Sequence, residues 1–150
     1  MQANPYLNFN GDCVEAFKFY ERSLGGKIES IMTHRDSPIA KDVPPAWQDR
    51  VLHARLRVGD TVLMASDSPP EYYQKPQGLY VSLQVDTPAE AERIFRELSQ
   101  SGSVTLPIEK TFWAERFGML VDRFGIPWMV NCEGAAQAAP RQRAQAAGKR

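Results

Sequence analysis

Two stretches of the chain carry one order of apolar and polar positions. Tyr6–Leu24 (YLNFNGDCVEAFKFYERSL) can be laid over Tyr80–Leu98 (YVSLQVDTPAEAERIFREL) without a gap. Tyr6 then meets Tyr80, Leu7 meets Val81, Phe9 meets Leu83, and Asp12 meets Asp86. Phe17, Tyr20 and Leu24 recur at helical spacing, as do Ala91, Ile94, Phe95 and Leu98. Both stretches predict a short strand, a polar cap and an amphipathic helix. Asp12 is placed to cap the first helix, with Glu15 reaching back. Thr87 is placed to cap the second, with Pro88 in the first turn and Glu90 in the reciprocal position. Gly25-Gly26 ends the first helix and SQSGS ends the second.

The segments after the two helices also match. KIESIMTH reads as a strand, VLHARLRV and TVLMAS as a hairpin around Gly59-Asp60, with a Pro-rich loop before the hairpin. VTLPIEK, FGMLVD and PWMVN repeat the sequence of three strands, with a turn at Arg123–Gly125. Each half is therefore predicted as βαβββ. SDSPPEYYQKPQG, with three prolines, suits the connector between them.

Composition adds the class. The chain has 150 residues, 43% hydrophobic and 24% charged, which suits a globular protein. No apolar run reaches membrane-spanning length and no secretory leader is visible, so a cytoplasmic protein without a membrane partner is expected. Cys13 and Cys132 form no zinc motif and are expected to be free thiols.

The formal net charge is zero, but four basic residues (Arg141, Arg143, Lys149, Arg150) lie in residues 134–150, which carry no acid. The remainder is acidic on balance, which argues against nucleic acid as the partner. The segment 134–150 is too poor in large apolar residues to build a core and is read as a basic, flexible tail.

Together the paired βαβββ pattern and four motifs in order resemble the PhnB-like branch of the vicinal oxygen chelate (glyoxalase/bleomycin resistance) superfamily. The motifs are PYLNFNGDCVEAFKFY, HARLRVGDTVLMASD, TFWAERFG and DRFGIPWMVN. The resemblance covers Asn4 to Glu133. It implies an α+β fold, with two βαβββ modules (about 5–67 and 79–132) forming a U-shaped half-barrel within one domain, 1–133. It also implies a small-molecule cleft between the modules and pairing into a homodimer.

In metal-using members of that superfamily, four strand residues, commonly His, Glu or Gln, hold a divalent ion. The resemblance places those positions at Pro5, Met64, Tyr80 and Met129. Proline offers no side-chain donor, and a thioether is a poor ligand for magnesium, manganese or zinc. Shifting each position by one residue does not restore a set of hard ligands. No metal or other cofactor is therefore expected.

The remaining chemistry is sparse. His53 alternates with Arg55 and Arg57 on one strand face, opposite Leu52, Ala54 and Leu56. Such a strip suits an anion such as a carboxylate or phosphate, or else an exposed or dimer-facing charged surface. Phe112, Trp113, Glu115 and Arg116 combine aromatic walls with polar groups, as small-molecule pockets do. Glu115 is a candidate acid or base if apolar walls enclose it. Trp128 and Phe124 are read as core. The loop His34–Arg50 is a lid or a dimer arm, anchored by Trp47.

The sequence thus points to a small-molecule-binding protein whose ligand contacts include His53, Arg55, Met64, Tyr80, Phe112, Trp113, Arg116 and Met129. The alternatives are a metal-dependent lyase, isomerase or dioxygenase with relocated ligands, or a non-catalytic dimeric scaffold.

Overall fold

In the computed structural model, residues 1–134 are described. The basic segment expected to be flexible falls, apart from Gly134, outside the described residues. The chain divides into two compact units, residues 1–75 and the residues from 76 onward.

The first unit runs β1 (Tyr6–Phe9), α1 (Cys13–Leu24), β2 (Lys27–Thr33), β3 (Val51–Val58) and β4 (Thr61–Asp67). Its four strands are ordered β1-β4-β3-β2. β1 runs parallel to β4, and the other pairs are antiparallel. Alternation sends Leu7, Phe9, Ala54, Leu56, Leu63 and Ala65 to the side covered by α1, where all are buried. Phe17 and Tyr20 of α1 meet Phe9 there, with ring centroids 6.3 and 6.5 Å away. Burying such rings contributes roughly 2–3 kcal/mol each.

α1 ends as expected at Gly25, whose φ of +67° is the left-handed conformation a glycine adopts without strain. Its start differs from the expectation. Asp12 makes no side-chain capping bond. The cap comes from Asp67, at the end of β4, whose Oδ1 accepts from the Gly11 and Cys13 amides, each at 3.0 Å. Its Oδ2 accepts from the Val51 amide at 2.9 Å. One buried carboxylate therefore ties the helix start to two strands, and Asp12 is left partly desolvated with its pKa raised, chiefly by that burial.

The second unit repeats the plan: β5 (Val81–Gln84), α2 (Pro88–Leu98), β6 (Ser103–Glu109), β7 (Arg116–Val121) and β8 (Pro127–Cys132), in the order β5-β8-β7-β6. Here the expected cap forms, with the Thr87 hydroxyl accepting from the Glu90 amide at 3.2 Å. Ala91, Ile94, Phe95 and Leu98 face Leu120, Trp128 and Val130, all buried. Gly118 admits Phe95: a Cβ there would lie 2.6 Å from the Phe95 ring. Pro107 is tolerated because β6 is an edge strand whose pairing shifts register between Leu106 and Glu109.

Trp128 is core, fully buried, with its indole N–H donating to Asp122 Oδ2 at 2.9 Å. Phe124 is not core. It is half-buried in the turn between β7 and β8, under the Arg123 guanidinium, and Ile126 enters the core instead. Cys13 and Cys132 are free and buried. Among the described residues, no helix is long and apolar enough to cross a membrane.

Candidate functional site

The face of the first sheet away from α1 carries the charged strip. Registry brings Tyr6 and Arg55 to opposite sides of Met64, and sets His53 against Met32. The Tyr6 hydroxyl lies 3.2 Å from His53 Nδ1, and the two rings stack at 5.8 Å. Arg57 pairs with Glu29 at 3.3 Å. Arg55 has no acidic partner among the described residues. Its side-chain contact is a weak one, from Nη1 to the Met64 sulfur at 3.8 Å. His53, Arg55 and Met64 are thus brought together. Tyr6, which was not among the expected contacts, joins them because it starts β1 on the same face.

At one end of this unit, the loop between β2 and β3 contains two short helical turns, Ala40–Asp42 and Pro45–Trp47. Trp47 anchors it as expected. Its ring meets the His34 ring edge-on at 6.5 Å, and the Arg50 guanidinium lies 5.7 Å above it.

In the second unit, the residues expected as an aromatic pocket separate. Phe112 and Trp113 lie in the loop before β7, not in a strand. Their rings meet edge-on at 4.8 Å, and Trp113 reaches Phe117 at 5.4 Å. Phe117 and Asn131 are register partners, as are Met119 and Met129, on the face away from α2. Arg116 points the other way. It pairs with Glu92 of α2 at 2.8 Å and so leaves the aromatic group. Glu115 is also in the loop and is exposed, so no apolar enclosure surrounds its carboxylate. Tyr80 lies just before β5 and is 42% exposed.

Sequence reading missed Asn131. It is buried, its amide N–H donates to Gln84 Oε1 at 2.8 Å, and its own Oδ1 has no partner. Only the tertiary setting reveals that orphan acceptor; an Asn in an apolar strand was the one available signal.

The four positions that the resemblance assigns to metal ligands carry other groups here. Pro5 offers its backbone oxygen, which already accepts from the Met64 amide at 3.1 Å. Met64 faces a guanidinium, Tyr80 is a phenol, and Met129 is a thioether beside Met119. Taken singly, a thioether and a neutral phenol are poor donors for a hard divalent cation. Among the described residues, no group of at least three His, Cys, Asp or Glu is arranged to hold one.

The glyoxalase/bleomycin resistance protein/dioxygenase superfamily model matches residues 3–130. The protein YjdN of Escherichia coli K12 is 31% identical over 139 residues, covering 87% of this chain and 95% of that one. The solved structure of PA1353 from Pseudomonas aeruginosa is 51% identical, with a TM-score of 0.82 over 90% of this chain and 99% of the other. The PhnB protein from Bacillus cereus is 23% identical with a TM-score of 0.75, covering 90% of this chain and all of that one. FosX from Listeria monocytogenes, solved with Mn(II) and 1S,2S-dihydroxypropylphosphonic acid, shares the fold at 7% identity and a TM-score of 0.64, covering 93% of this chain and 97% of its own. This chain belongs to the glyoxalase/bleomycin resistance protein/dioxygenase superfamily.

Proposed function

We propose that this chain binds a small organic anion, a phosphonate or a carboxylate, on the open face of its first sheet, and that a guanidinium rather than a metal ion grips it. The observation that carries this reading is the state of Arg55. Its neighbour Arg57 pairs with Glu29, whereas the hydrogen-bond partner of the Arg55 side chain among the described residues is a thioether. A thioether is a weak acceptor, and an oxyanion replacing it would form charge-assisted, bidentate hydrogen bonds. The Tyr6–His53 pair stands on the same face and supplies a hydroxyl and a ring nitrogen for the rest of the ligand.

The second unit's open face is proposed, by itself, as an apolar contact surface. Phe112, Trp113 and Met129 provide aromatic and thioether area there, and Tyr80 lies beside β5. Arg116 is left out of the ligand set, because Glu92 holds it on the helix side.

The reading is tested by thermal unfolding with a panel of methylphosphonate, small carboxylates and matched neutral alcohols. Anions at 100 times Kd are expected to add roughly 2.7 kcal/mol, with no gain from the alcohols. Arg55→Ala is expected to remove the gain. Equal stabilisation by alcohols, or full anion stabilisation of Arg55→Ala, would exclude this face as the site.

A further inference from the structure

The first unit contains a cavity that the anion site does not use. It has a volume of about 460 Å³ and forms where the loop after β2 meets β3, the end of β4 and the start of the connector. Its size falls within the range of small-molecule pockets. None of Tyr6, His53, Arg55 and Met64 lines it.

Its lining includes Trp47, Leu52 and Pro69 together with the carboxyl side chains of Asp42, Asp67 and Glu71, and neither Lys nor Arg is part of it. Asp67 is committed, since its two oxygens accept three backbone N–H groups. Asp42 and Glu71 are exposed and have no ion pair among the described residues. Arg50 is not among the lining residues, and its guanidinium stands over the Trp47 ring and on the Gly11 carbonyl. Lining it as well is His34, whose Nδ1 is buried without a hydrogen-bond partner. Such an orphan nitrogen lacks a partner, and in the tautomer protonated at Nε2 a bound N–H can supply it. An anion would meet two like charges here, and a neutral molecule would leave both carboxylates unused. An aromatic wall beside carboxylates is the chemistry that recognises organic cations.

We propose that this cavity binds a small organic ammonium ion. Its apolar body packs on Trp47, Leu52 and Pro69, its charge is held by Asp42 and Glu71, and an N–H is donated to His34 Nδ1. The site is independent of the anion site at Arg55.

The test is titration calorimetry at fixed ionic strength with benzylamine, benzyl alcohol and benzoate as matched probes. Benzylamine is expected to bind more tightly than both others. The double variant Asp42→Asn/Glu71→Gln changes only exposed side chains, so its fold is expected to survive. It should lower benzylamine affinity about tenfold, the sum of two modest exposed charge contacts, and abolish the preference over benzyl alcohol. Arg55→Ala should leave benzylamine binding unchanged, which separates this site from the anion site. Benzoate binding as tightly as benzylamine, an undiminished amine preference in the double variant, or no saturable binding of benzylamine would each overturn the proposal.

Discussion

The two units share a strand order and differ in what the sheet faces away from their helices present. The first shows Tyr6, His53, Arg55 and Arg57, a polar strip in which Arg55 has no carboxylate partner among the described residues. The second shows Trp113, Phe117, Met119 and Met129, with a single buried amide at Asn131. The helix-facing cores, by contrast, are built alike from aromatic and branched side chains. A duplicated βαβββ plan fixes which positions are buried under the helix. It leaves the other face free to diverge, which is where the proposed anion site lies.

The units also differ in where their buried carboxylate sits. Asp67 joins the start of α1 to β3 and β4. Asp122 instead organises the turn between β7 and β8, accepting from the Phe124 and Ile126 amides at 2.8 and 3.0 Å and from Trp128. The sharpest way to probe this contrast is Asp67→Ala. It leaves three backbone N–H groups without an acceptor, two of them in buried bonds, and should cost about 3–5 kcal/mol in denaturant unfolding. Hydrogen exchange adds detail. If the units open separately, the Cys13 and Val51 amides lose protection while those of β7 and β8 keep it. Equal loss in both would show one cooperative unit.

A smaller effect is expected at Gly118, which has a steric role in the second unit. Gly118→Ala drives a methyl group into the Phe95 ring and towards Ile108 and should cost about 1–3 kcal/mol. Adding Phe95→Leu should recover part of that loss. No recovery would mean that the Ile108 backbone, rather than the ring, is the obstacle.

The two arginines offer a sharper functional contrast. Arg116→Ala breaks a partly exposed pair with Glu92, should cost at most about 1 kcal/mol, and should leave anion binding intact. Arg55→Ala should barely change stability yet remove anion binding.

The smallest effect concerns Asp12. Burial, reinforced by Asp67 and Glu15, raises its carboxyl pKa above the ordinary 3.8, so the folded state holds the proton more tightly than the unfolded chain. Stability therefore falls as pH rises from that ordinary value through the raised one, and the penalty persists above it. Asp12→Asn should be the more stable form at neutral pH, by less than about 1 kcal/mol after solvent screening. The difference should close below pH 3.8. A variant less stable at neutral pH would show that Asp12 has a capping role after all.

Much of the fold was legible in the sequence, for identifiable reasons. Strands such as VLHARLRV alternate cleanly, so β3 and the open placement of His53, Arg55 and Arg57 could be read directly. Thr87 acts within its own helix turn, and its cap was equally readable. Asp67 was not, because the amides it holds at Gly11 and Cys13 are more than fifty residues away. The partner of Arg116 was hidden for the same reason. Strand neighbours suggested a pocket with Trp113, but Glu92 on the packed helix decides its direction. Phe124 looked like core by composition, yet the turn around Asp122 keeps it half-exposed and sends Ile126 inward. Local periodicity determines faces, whereas partners across the fold determine where charged side chains end.

The central claim is that Arg55, and no metal ion, grips an anionic ligand on the first sheet. Calorimetric titration of methylphosphonate into protein treated with a strong chelator tests it most directly, with Arg55→Ala run beside the native chain. Binding is expected to be unchanged after chelation and absent in Arg55→Ala. Binding that disappears on chelation, or survives intact in Arg55→Ala, would contradict the claim.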